Sequence, residues 1–346
     1  MKLSIIVPVY NMAADGKLAF CLDSLVNQTI TDYEIIAVDD KSTDNSLEIL
    51  KAYEKNYPDK VRVIASPENR RQGGAKNLGL RAVKGEWVGF IDSDDWVTPD
   101  FYEKLFAEAE RTGADVVGCN YNITYEHSFV PGKPARSNHP GQAGILDEEH
   151  KRELILNPGS MVPKIYKYSI FYDNGLWFPE GMFYEDNCLG PLTLLYAKRF
   201  AYVDEANYFY YQHSASTVHH ISVEKCNDRL TTMEYFMGEC YKRGFLEEFP
   251  EEIEYRFTEI FYINTLFTYM LGVPFTKRRI SYVKALRDGI MAYFPEFDTN
   301  PYFYEKQDAE VKKLTKMHCK NPAYFFWYYT LLTTYRKLRK AISRKK

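Results

Sequence analysis

Short apolar runs alternate with two-faced stretches through the first third of the chain. Residues 3–9, 33–38, 61–65, 87–91 and 115–119 are rich in Val and Ile and stop at polar or turn-forming residues. That pattern predicts buried strands. Between them, residues 17–28, 46–56, 74–83 and 101–112 carry apolar side chains three and four positions apart, which predicts amphipathic helices. Thr43 and Asp44 read as caps for the second of these. Strands alternating with helices define an α/β fold with a mostly parallel central sheet built through right-handed crossovers. Ligands of such sheets gather at the carboxyl ends of the strands.

Further along, residues 120–144 read as a loop and 147–156 as a helix. Tyr and Phe crowd 165–172 and 202–211, which predicts two strands flanking a helix at 187–197. From Val223 onward the spacing turns helical, over 245–271 and 280–293 among others. The expected division is 1–222 for the α/β domain and 223–346 for a helical C-terminal appendage.

Composition changes this picture in two places. Aromatic residues make up 16% of the 346 positions, enough to fill a large core, stack on sugars or sit at a membrane interface. The net charge of −3 hides an asymmetry: Val311 to Lys346 holds eleven Lys or Arg and no Asp or Glu, so the remainder sums to about −14. A basic tail on an acidic body suggests an anionic partner for the tail. Nucleic acid is excluded by the acidic body and by the lack of zinc-finger spacing or an RNA-binding aromatic motif. The six cysteines form no CxxC pair, and the apolar start is stopped at once by Pro8. The reading is a reduced, cytoplasmic protein without a transmembrane segment, peripheral on the inner face of the plasma membrane where its tail engages it.

The chemistry lies at the strand ends. The first strand ends in Pro8-Val9-Tyr10, the second in Asp39-Asp40, and the fourth in Asp92-Ser93-Asp94-Asp95. So many carboxylates at neighbouring mouths repel one another unless a cation compensates them, and oxygen ligands select Mg²⁺ or Mn²⁺. Turn formation and capping are the plainer roles of such residues. No GxGxxG and no GxxxxGK[ST] follows the first strand, which removes the dinucleotide and P-loop readings. Arg70-Arg71-Gln72-Gly73-Gly74-Ala75-Lys76 opens a helix with cations and glycines, a place to hold a diphosphate.

These blocks, in order and correctly spaced, resemble the inverting nucleotide-sugar glycosyltransferases of family 2, of GT-A fold. The likeness runs through 4–11, 34–44, 75–79 and 90–95, then through Phe178–Asp186 and the aromatic strand at 208–216, and fades beyond Ser222. It implies a metal-dependent transferase moving a sugar from a UDP donor to a hydroxyl of a glycan or lipid-linked acceptor of bacterial surface-polysaccharide type. It implies Asp94, with Asp92 or Asp95, as ligands of Mn²⁺ or Mg²⁺. Donor contacts fall to Pro8, Val9, Tyr10, Asp40, Arg71, Lys76, Asp92, Ser93 and His213, where the family commonly has Lys76 as Arg and an Arg near His213. Asp186 is the expected base, with Glu185 as second candidate. A nucleotidyltransferase and a catalytically silent sugar- or nucleotide-binding subunit are the competing readings. The tail, with Tyr324 to Tyr329 followed by Arg336-Lys337-Leu338-Arg339-Lys340, is expected at an anionic membrane surface, or packed as ordinary core.

Overall fold

A computed structural model describes residues 1–213 and 221–343. The chain divides into two compact units, Met1–Ser214 and Ala215–Lys346.

In the first unit the apolar runs become β1 (Leu3–Val9), β2 (Tyr33–Asp39), β3 (Val61–Ala65) and β4 (Trp87–Phe90). Every residue of β1, β2 and β4 is buried, which is why they read as continuous apolar runs rather than alternations. The crossovers are α1 (Lys17–Val26), α2 (Ser46–Asn56) and α3 (Arg71–Arg81). After β5 (Trp96–Val97) and α4 (Phe101–Thr112) come β6 (Val116–Thr124), β7 (Lys133–Ala135) and β8 (Gly144–Ile145). The unit closes with α5 (Glu148–Leu156), β9 (Lys164–Lys167), α6 (Ser169–Tyr172), α7 (Asp186–Tyr196) and β10 (Arg199–Tyr211).

The sheet runs β3-β2-β1-β4-β9-β6-β10-β5, with β7 on β6 and β8 on β10. Its pairs β3-β2, β2-β1 and β1-β4 are parallel, as is β6-β10. Antiparallel β9 separates the two parallel groups, so β10 runs in the direction of β4. The carboxyl ends of β2, β1, β4 and β10 therefore lie on one side of the sheet. This is the GT-A arrangement.

Three expectations need correction. The stretch 120–144 is not a loop: β6 continues to Thr124, paired with β10 out to Tyr211, and β7 follows. Asparagines disguised it, because Asn120 and Asn122 are buried and bonded to Tyr202, Asp204 and the Ala206 carbonyl. Residues 165–172 are a short strand followed by a helical turn, not one strand. Thr43 and Asp44 do not cap α2; its N-cap is Asn45, while Asp44 accepts from the Ser46 amide and from the Ala13 amide of the β1 loop.

The second unit is helical: α8 (Val223–Lys242), α9 (Phe245–Glu248), α10 (Pro250–Phe257), α11 (Thr265–Gly272), α12 (Ile280–Tyr293), α13 (Pro301–Lys306), α14 (Ala309–Lys320) and α15 (Pro322–Ser343). A π-helical stretch, Thr258–Asn264, interrupts the long helix expected over 245–271. There the Thr265 hydroxyl donates to the Ile260 carbonyl. Among the described residues no helix is long and apolar enough to cross a membrane.

His318 sits fully buried in this unit. Its Nε2 lies 2.9 Å from the Val283 carbonyl, which only accepts, so Nε2 carries the proton and Nδ1 accepts from the Tyr262 hydroxyl at 2.7 Å. Burial pulls the imidazole down to about 4. The unfolded chain then takes up its proton first as pH falls. Stability from this group is intact above about 6.5 and is lost as pH drops through 4, by about 3 kcal/mol in all. Urea midpoints of the full chain at several pH values should show this slope, and His318→Gln should flatten it. An unchanged slope in the variant assigns the acid sensitivity elsewhere.

Candidate active site

The loop after β1 is stitched to the loop after β2. The Asn11 amide donates to the Ser42 hydroxyl at 3.0 Å, and the Thr43 amide to the Asn11 carbonyl oxygen Oδ1 at 2.8 Å. Pro8 and Val9 are buried at the strand end, and Tyr10 is exposed beyond them. Asp40 is buried, its backbone amide tied to the Val9 carbonyl at 2.8 Å. Asp40 Oδ1 accepts from the Arg70 amide at 2.8 Å, whereas Oδ2 has no partner among the described residues. Burial raises its carboxyl above the usual range. An unpaired buried acceptor is costly and calls for a donor that the described residues do not supply. Asp39, which the sequence reading counted among the clustered carboxylates without a separate role, likewise keeps Oδ1 unpartnered among the described residues.

Backbone strain concentrates at the same mouth. Of five non-glycine residues with positive φ among those described, Asn11, Lys41 and Tyr184 lie on the loops that border it, and Arg71 opens α3. Such conformations cost about 1–3 kcal/mol each and persist where surrounding structure enforces them.

The start of α3 grips the loop before α7. A Cβ at Gly73 would stand 2.1 Å from the Pro179 carbonyl oxygen, so only glycine permits this approach. The Asn77 amide donates to the Phe178 carbonyl at 2.9 Å and to Glu180 at 2.8 Å, and it accepts from the Phe178 amide at 2.9 Å. Arg71 lies over the Phe183 ring, 4.1 Å from its centroid. Lys76, expected on a diphosphate, instead makes a buried ion pair with Glu185 at 2.7 Å. Burial works to lower that ammonium, but Glu185, Asp92 and Asp186 outweigh it and hold it above the ordinary lysine range. Glu185 is thereby committed to Lys76, while its neighbour Asp186, the first residue of α7, is exposed.

After β4 the carboxylates divide their work. Asp95 is buried and accepts from the Tyr208 hydroxyl at 2.5 Å and the Tyr211 amide at 2.9 Å. Asp95 thereby braces β10 against the turn after β4. Burial, then Asp94 and Asp92, raise its carboxyl well above the usual range. Ser93 is buried in the turn closed by the Asp95 amide on the Asp92 carbonyl at 3.0 Å. Asp94 Oδ2 lies 2.9 Å from His213 Nε2, and that ring stacks on Tyr211 at 5.1 Å. Asp92 Oδ1 accepts from the Gln72 amide at 2.9 Å. Burial, with Asp94, Glu185 and Asp186, pushes the Asp92 carboxyl up to about 6 against the pull of Lys76.

The donor set fits a divalent cation. Asp94 and His213 bring an oxygen and a nitrogen within 2.9 Å of each other, donors of the kind that ligate divalent ions, and Asp92 stands in the same turn as Asp94. Among the described residues no cluster of three or more His, Cys, Asp or Glu has metal-binding geometry. Such a cation would therefore take its remaining ligands from outside the chain, as Mg²⁺-type ions do from phosphates and water.

Sequence reasoning missed the holders: Gln72 on Asp92, Asn77 on the 178–180 loop, and Tyr208 on Asp95. The position of Asn77, one turn beyond two glycines, was the only local hint.

Comparison with known proteins identifies the family. The pattern described as Glycosyl transferase family 2 matches residues 4–163. The putative glycosyltransferase EpsH of Bacillus subtilis (strain 168) is 31% identical over 258 residues, 73% of each chain. The chain belongs to glycosyl transferase family 2. It is also similar to the poly(ribitol-phosphate) beta-glucosyltransferase of Bacillus spizizenii, at 33% identity over 220 residues, 61% of this chain and 32% of that one. The chain thus spans about a third of that relative's length. Among solved structures, S. aureus TarS 1–349 in complex with UDP-GlcNAc superposes with a TM-score of 0.73 at 23% identity, covering 97% of this chain and 92% of that one, a likeness of fold.

Proposed function

We propose that the chain transfers a sugar from a UDP-sugar to an acceptor hydroxyl with inversion at the anomeric carbon. The observation that carries this is that the start of α3 ties the two acidic loops together: Gln72 donates to Asp92 after β4 at 2.9 Å, and Lys76 pairs at 2.7 Å with Glu185, the residue before Asp186 at the head of α7. TarS, of the same fold, binds UDP-GlcNAc, and a UDP donor suits Asp40, whose free oxygen can accept from the N–H of a uracil ring. The Pro8–Tyr10 edge flanks that base, and Ser93 and Arg71 border the diphosphate.

Asp186 takes the proton of the acceptor hydroxyl. The oxygen bonds to the anomeric carbon as the bond to the diphosphate breaks, and UDP leaves with the electron pair. Glu185 and Lys76 position this loop rather than react. Asp94 and His213, with Asp92 beside them, would hold a divalent cation, which when bound would supply countercharge to the diphosphate leaving group. The acceptor is a surface glycan or lipid-linked chain of the polyol-phosphate type that the Bacillus spizizenii relative's name specifies.

A panel of UDP-sugars with Mn²⁺, read by UDP release, tests the reaction, and calorimetry with UDP tests the site. Asp40→Ala should weaken UDP by roughly tenfold to a hundredfold, the loss of one charge-assisted hydrogen bond. Asp39→Ala is the comparison. If only Asp39→Ala weakens UDP, the base lies on Asp39; if the parent binds no UDP, the donor class is wrong.

A further inference from the structure

The final helix, α15, has two apolar faces. Phe325, Phe326 and Tyr329 are buried inside the second unit, with Phe325 packed on His318 and Tyr329 on Phe267. Tyr324, Trp327, Leu331, Tyr335 and Leu338 recur at three- and four-residue spacing, which puts them on one helix face. All five are exposed, Trp327 at 52%, Leu331 at 70% and Leu338 at 60%. The stripe is about 21 Å long at the helical rise. A surface stripe of this kind is normally polar.

Its surroundings are basic. Lys337, Arg339 and Lys340 are exposed at its C-terminal end, and Lys313, Lys316 and Lys320 of α14 at its start. Beside it a groove of about 560 Å³ is lined by Phe275, Arg278, Thr330, Thr333, Thr334 and Lys337. Phe275 is itself exposed and lies 6.2 Å from the Trp327 ring. The groove thus pairs two cations with an aromatic rim, and Arg278 spends only its Nε, on the Val273 carbonyl at 2.7 Å, among the bonds seen.

We propose that this face of the second unit docks on an anionic phospholipid surface, with α15 lying in the interface plane and the Arg278–Lys337 groove receiving a phosphate headgroup. Tyr and Trp favour headgroup depth, Leu331 and Leu338 enter the acyl boundary, and the flanking cations meet the negative surface. The helix lies in the plane, since no described helix is apolar enough to span. An acidic protein partner would satisfy the cations but not an aromatic stripe with leucines at its centre and end. The proposal stands on the second unit alone and is independent of the donor chemistry.

Deleting the tail would remove the buried Phe325 and Tyr329 and unfold the unit, so point changes on the exposed face are the proper test. The full chain is sedimented with phosphatidylglycerol-containing vesicles and with pure phosphatidylcholine vesicles, at low and high salt. Binding is expected only to the anionic vesicles and should fall with salt. Lys337→Ala/Arg339→Ala should lower partitioning roughly thirtyfold, about fivefold per charge. Trp327→Ser/Leu331→Ser should abolish it, with UDP affinity and the urea midpoint unchanged. Arg278→Ala separates headgroup capture from general attraction: a loss confined to vesicles, not reproduced by inorganic phosphate, supports the groove, and an unchanged partition removes it from the site. Failure of the parent to bind anionic vesicles at low salt overturns the proposal. So does a parent that is oligomeric by light scattering and becomes monomeric in Trp327→Ser/Leu331→Ser, because the stripe is then a contact between copies of this chain.

Discussion

Asp186→Asn is expected to lower sugar transfer by roughly a hundredfold to ten-thousandfold, the range a general base contributes, with UDP affinity within a few-fold of the parent. Asparagine keeps the shape and the helix-opening position but cannot take a proton. The geometry distinguishes Asp186 from its neighbour: Glu185 is buried on the Lys76 ammonium, whereas Asp186 is exposed at the head of α7. Transfer to acceptor and calorimetric UDP binding, measured on the same preparation, separate a lost base from a lost site. Turnover above a tenth of the parent in Asp186→Asn would return the role to Glu185.

Lys76→Met should cost the first unit about 3–5 kcal/mol, because it leaves the buried Glu185 carboxylate without its cation. It also removes the positive charge that restrains Asp92. The reciprocal change, Glu185→Leu, strands the ammonium and should cost a similar amount. The double variant, with neither charge, should recover most of the loss, since a buried pair contributes little net stability against apolar residues of similar volume. Urea midpoints of the four proteins form the cycle. Additive losses, or a Lys76→Met loss below about 1 kcal/mol, would show that the pair does not hold α3 to α7.

The local pattern carried the framework. Mostly apolar runs announced β1, β2 and β4, because strands buried on both faces have no alternation to obscure. The acid-rich turns that follow them marked the mouth of the site, because short polar clusters after buried strands face the side where ligands gather. Where buried positions were polar, the reading failed. Asn120 and Asn122 looked like loop residues because their partners, Tyr202, Asp204 and Ala206, lie more than eighty positions away.

The sequence by itself determined the α/β class, the order of its strands and helices through the first third, and the collection of carboxylates from which a site is made. Only the tertiary structure decided what each carboxylate does. Asp92, Asp94 and Asp95 are equivalent letters in one turn, yet Asp95 is bonded to Tyr208, Asp94 meets His213 across 119 positions, and Asp92 accepts from Gln72. Glu185 and Asp186 are adjacent, yet one is paired with Lys76 across 109 positions and the other is exposed. Periodicity reports burial along a single element, whereas a carboxylate's role depends on which cation, donor or void the folded sheet brings beside it.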